Sequence, residues 1–122
     1  MIRPAATVPK LDSLTILSRS GATYRLRVYI LGNHFKPIPG VYLISERTIE
    51  PGERPKYKPI YVGETADLSA VSDNHEKDEC FQLHLANTIS ILPEEDAAAR
   101  TRIAFDLIKF LRPPCNLRDE EH

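Results

Sequence analysis

The chain has 122 residues, enough for one modest hydrophobic core and too few for two independent ones. Its 16 lysines and arginines against 17 aspartates and glutamates give a formal net charge of -1, which excludes a general attraction to a polyanion and leaves only a local patch for nucleic-acid contact. Two cysteines are too few for a disulfide framework, no run approaches the roughly 18 apolar residues of a membrane span, and the opening MIRPAATVPK lacks the apolar centre of a signal peptide, so a soluble domain of the reducing cytoplasm is expected.

Residues 1–13 carry Pro4 and Pro9 and few large apolar groups, and read as a tail or arm, with a single domain over 14–122. From Thr23 to Leu31, Tyr24, Leu26 and Val28 alternate with Arg25 and Arg27 before the run turns wholly apolar, the pattern of a strand entering a core. Gly32-Asn33 then signals a turn. GVYLIS from Gly40 and PIYVG from Pro59 read as two further strands, joined by a long charged loop and paired antiparallel because each apolar run needs the other for burial. Past Gly63, Thr65 or Asp67 can cap a short helix through Asp73 or His75, with Leu68 and Val71 on one face. The segment Cys80 to Leu85 has no clear period, whereas Asn87 to Leu92 alternates as a short strand. Glu94, Glu95 and Asp96 form an acidic entrance to a helix running to about Leu111. Ala97, Ala104, Leu107, Ile108 and Leu111 supply its apolar stripe, and Arg112-Pro113 ends it.

Gly40-Val41-Tyr42, Tyr61-Val62-Gly63, a following helical segment and Pro113-Pro114-Cys115-Asn116 occur in an order that resembles the GIY-YIG nuclease family over residues 35–116. YVGETADLS, Cys80-Phe81 and DLIKFLRPPCN are similar to one bacterial branch of it. The resemblance implies a compact α/β (α+β) domain with a small, mainly antiparallel sheet flanked by helices, here preceded by an extra strand at 23–31. It also implies phosphodiester hydrolysis with magnesium or manganese, in which metal and guanidinium stabilise the transition-state charge and a phenol passes a proton. On that pattern Tyr42 is the proton acceptor, Tyr61 its phosphate or water partner, His75 a further site residue and Asn116 an orienter. The arginine and the metal-binding glutamate of the pattern fall on Val71 and Ala104, neither of which can do that work. The resemblance therefore implies a catalytically impaired relative, with no bound cofactor expected.

Each of these residues also has a structural reading. Tyr42 and Tyr61 suit strand packing, Gly40 and Gly63 suit close backbone approach, and His75 suits a solvent-facing helix end. His75, Cys80, His84 and Cys115 are of types that bind zinc, but their irregular spacing leads to no expected metal site, and the cysteines read as small buried hydrophobes. Arg47, Arg54, Lys56 and Lys58 in the hairpin loop are candidate nucleic-acid contacts, although Glu46, Glu50 and Glu53 share the loop. Three functions follow: a non-cutting module that binds DNA or a protein partner; an active endonuclease using Asp106 or Glu95 for metal and Arg100 or Arg102 for phosphate; and a structural or regulatory protein without nucleic-acid contact. The sequence sets no oligomeric state.

Overall fold

The computed structural model describes residues 10–71 and 78–120. Strands β1 (Asp12–Leu17), β2 (Thr23–Ile30), β3 (Gly40–Thr48), β4 (Lys56–Thr65) and β5 (Thr88–Pro93) form one curled sheet in the order β1-β2-β5-β3-β4, every pair antiparallel. Helices α1 (Glu79–Leu83), α2 (Ala97–Leu111) and α3 (Pro114–Glu120), with a 3-10 turn at Leu68–Ala70, complete the described elements. This is the mixed α/β architecture with an antiparallel sheet that the strand patterns predict.

Register divides the side chains into two sets. Leu14 and Ile16 on β1, Leu26 and Val28 on β2, Ser90 on β5, Val41 and Leu43 on β3 and Val62 on β4 share one face, where Ala104 and Leu107 of α2 pack. Tyr29, Ile89, Ile91, Tyr42, Ile44 and Tyr61 share the other, which is covered by Leu68, Val71, Phe81 and Cys115. An irregularity after Ile44 inserts Ile60 between the pairs Ile44–Tyr61 and Ser45–Pro59, and so brings Ile60 into the same cluster as Tyr42.

The helices begin where the sequence supplies acceptors for their first amides. The Asp67 carboxylate accepts from the Ser69 amide at 2.9 Å, Asp78 accepts from those of Cys80 and Phe81, and Asp96 accepts from that of Ala99 at 3.0 Å. Helix α2 ends at Arg112, whose left-handed backbone (φ 47°) turns the chain before Pro113.

Several expectations need correction. The chain joins the sheet at Asp12, inside the expected 1–13 tail, because Asp12 pairs with Val28, and two N-terminal strands precede β3 rather than one. The ambiguous segment after Asp78 is helical, since its cap and the buried Phe81 fix it. Ala97 is exposed, and the buried side of α2 is carried by Arg100, Ala104 and Leu107. Cys80 and Cys115 are joined as a disulfide rather than packing as separate hydrophobes.

Candidate functional site

Tyr42 on β3 and Gly63 on β4 are directly paired, and the phenol ring lies across the glycine. A Cβ at Gly63 would stand 2.9 Å from Tyr42 Cε1 and collide with its Cζ–Oη end, so the YVG glycine is required by the GVY tyrosine. Gly40 is constrained in the same way, because a Cβ there would meet Leu68 Cδ1 at 2.8 Å and the Leu92 carbonyl at 2.9 Å. The Tyr42 and Tyr61 rings are 6.2 Å apart and tilted by 40°, and Tyr61 leans on Phe81 at 5.4 Å. Burial raises the Tyr42 phenol well above the usual tyrosine range, and the neighbouring Tyr61 adds to the shift. The direction of that shift disfavours the phenolate that a proton acceptor would need.

Asn116, in the first turns of α3, accepts from the Val62 amide at 2.7 Å and donates to the Val62 carbonyl at 2.9 Å. Its amide closes the outer edge of β4 between Tyr61 and Gly63, so it holds the strand that carries both residues. Tyr61, Gly63 and Asn116 border a shallow groove whose floor includes Ala104. Ala104 thus lies beside Tyr61, Gly63 and Asn116, whereas Tyr42 and Val71 pack in the cluster on the other face of the sheet.

The charges are not there. Ala104 is 6% exposed and packs with Leu43, Val62 and Leu107, while Val71 is 5% exposed and packs with Leu68 and Phe81 in the other cluster. The carboxylate on the groove is Glu64, 3.9 Å from Arg100 Nε. Asn116 is committed to Val62, so among the described residues the groove does not offer the oxygen set that a divalent cation needs, and those residues do not fit the metal of the family pattern.

Of the substitutes named from sequence, Glu95 and Arg102 are exposed, and Asp106 and Arg100 are engaged elsewhere. Asp106 points to the β1–β2 turn, where it accepts from Ser18 at 2.9 Å, Ser20 at 2.7 Å and Tyr24 at 2.6 Å. Those hydroxyls hold its carboxyl below the usual range, Tyr24 first, while burial and then the Asp106 bond push Tyr24 up to about 12. Arg100 is buried and donates to the carbonyls of Glu94 and Glu95 at 3.1 and 3.0 Å. His75 lies outside the described residues.

Among the loop cations, Arg47 donates to Tyr57 Oη at 2.9 Å, and Tyr57 donates to Asp12 at 2.9 Å, which links β4 to β1 across the curl of the sheet. Arg47 and Tyr57 pair on the face opposite Lys58, so the loop cations do not form one patch. Arg54, Lys56 and Lys58 are exposed, and Lys56 lies 3.5 Å from Glu53.

A basic surface does occur where the sequence shows only strand alternation. Arg25 and Arg27 project from a side of β2 that, among the described residues, no helix covers, and line adjacent depressions with Lys10 and Lys36. Tyr29 and Phe35, half-buried and edge-to-face at 5.2 Å, border the same strip. Glu94 and Glu95 line the next depression and bound it beyond Ile38 and Pro93. The alternation of Arg25 and Arg27 was the available signal.

Comparison of the chain with protein-family models, with curated proteins and with solved structures gives no match.

Proposed function

We propose that this chain is a GIY-YIG-like domain that no longer hydrolyses phosphodiesters and works as a nucleic-acid-binding module, with the open face of β2 as its contact surface. The observation that carries the loss of chemistry is the burial of Val71 and Ala104 in two apolar clusters, at the positions where the resemblance requires a guanidinium and a metal-binding carboxylate. Neither Val71 nor Ala104, which lie on opposite faces of the sheet, can hold a divalent ion or offset the charge of a phosphorane-like transition state. The scaffold reading is supported by the adjacency of β5, β3 and β4, by Tyr42 lying over Gly63, and by Asn116 clasping Val62.

Binding is supported by Lys10, Arg25, Arg27 and Lys36 on a sheet face left uncovered among the described residues, beside rings on which a base can stack. The test pairs cleavage of plasmid and branched DNA, in magnesium and in manganese, with anisotropy titrations of labelled single strands. No cleavage is expected, and Arg25→Ala with Arg27→Ala should weaken binding at least tenfold. Cleavage that Tyr42→Phe abolishes would return the chain to the active nucleases, and an absence of nucleic-acid binding would leave protein interaction as the remaining role.

A further inference from the structure

Among the described residues, three metal-ligating side chains converge at one point, where Cys80 Sγ, Cys115 Sγ and a ring nitrogen of His84 all lie within 4.8 Å of one another. Cys80, in the first turn of α1, and His84, which caps its C-terminal end, are four residues apart, and the buried Cys115 comes from the first turn of α3. The two cysteine Cα atoms are 6.0 Å apart. Tetrahedral zinc held by two thiolates and an imidazole needs ligand atoms about 3.6–3.8 Å apart, which follows from its bond lengths and angles and fits inside that envelope.

We propose that Cys80, His84 and Cys115 form a redox-gated zinc site, closed as a disulfide under oxidising conditions and open to a divalent zinc ion once a dithiol has reduced the bridge. In the reduction, two electrons and two protons pass from the dithiol to the cysteine sulfurs, the S–S bond breaks, and the reductant closes its own disulfide. Zinc then forms two Zn–S bonds and one Zn–N bond, releasing the two thiol protons to solvent. Cys80 and His84 are half-exposed, so the fourth position faces water and the ion can enter and exchange. Either state ties α1 to α3, and through Asn116, next to Cys115, to β4.

The whole chain is reduced with a dithiol under anaerobic conditions, freed of reductant, and titrated with cobalt(II) as the spectroscopic probe and then with zinc. The expected result is a single equivalent of cobalt with sulfur-to-metal charge-transfer bands and the visible absorption of four-coordinate cobalt, displaced by zinc and absent from the oxidised protein. Because Cys115 is fully buried and its replacement threatens folding, the deciding variant is His84→Ala. It should still form the disulfide on oxidation, yet bind the metal at least tenfold more weakly when reduced. Reduced protein without charge-transfer bands, oxidised protein that binds equally well, or His84→Ala with unchanged affinity would each overturn the proposal.

Discussion

Gly63 and Tyr42 define each other, since the space that a methyl group would take at Gly63 is filled by the Tyr42 phenol. Gly63→Ala must push the ring off β4 or spread β3 from β4, and overpacking of this kind costs about 1–3 kcal/mol. The urea midpoint should fall accordingly, and Tyr42→Phe should not rescue it, because the collision includes Cε1 of the ring as well as the hydroxyl. A midpoint unchanged by Gly63→Ala would show that the ring has another place to go. This pairing explains why the triplets were legible while their chemistry was not. Glycine and tyrosine at that spacing specify a contact between strands, whereas proton transfer depends on surroundings that lie elsewhere in the chain. Those surroundings, the apolar cluster that Tyr42 shares with Val71, bury its phenol and raise its pKa.

At the level of elements, β2 and β5 could be read from alternation, α2 from helical spacing, and β3 and β4 as short apolar runs between turn formers, since β3 is buried on both faces. The links between them could not. Asp106 ties α2 to the β1–β2 turn across 82 to 88 residues, and the Cys80–Cys115 bridge ties α1 to α3 across 35, distances over which no local pattern operates. A bridge of that separation is worth about 3–4 kcal/mol in the chain-entropy picture. The Asp106 tether has a definite pH signature. Its folded carboxyl is depressed below 3.8, so its stabilisation is fully present above that value and is lost as pH falls through the lower folded value. Tyr24 is raised from 10.0 to about 12, so its stabilisation holds below pH 10.0 and is lost between there and about 12. Asp106→Asn should destabilise by about 1–2 kcal/mol at neutral pH, with the difference from the parent chain shrinking in acid. Tyr24→Phe should reduce the alkaline fall. Urea melts across pH measure both, and a gap for Asp106→Asn that stays constant into acid would mean that the tether does not depend on the carboxylate charge.

Over the whole molecule, near-neutral net charge conceals an uneven distribution. The sheet has one face under α2, while on the other the 3-10 turn, α1 and Cys115 cover the portion built on β3, β4 and β5. Among the described residues the part of that second face on β1 and β2 has no such cover and presents Arg25 and Arg27 with Lys10 and Lys36 at its margin, so composition averaged over the chain understates what a phosphate backbone would meet there. Such a surface makes a quantitative demand on binding, because each neutralised phosphate releases condensed counterions. If all four cations contact a single strand, the logarithm of affinity should fall against the logarithm of salt concentration with a slope of about -3. Arg25→Ala with Arg27→Ala should reduce that slope in magnitude by about 1.4, uniformly across sequences, since backbone contacts carry no base information. Lys56→Ala with Lys58→Ala is the matched control, because those lysines stand on the β3–β4 hairpin away from the strip. An equal loss of slope from the hairpin pair, or none from the β2 pair, would move the contact surface off the open face and back to the loop.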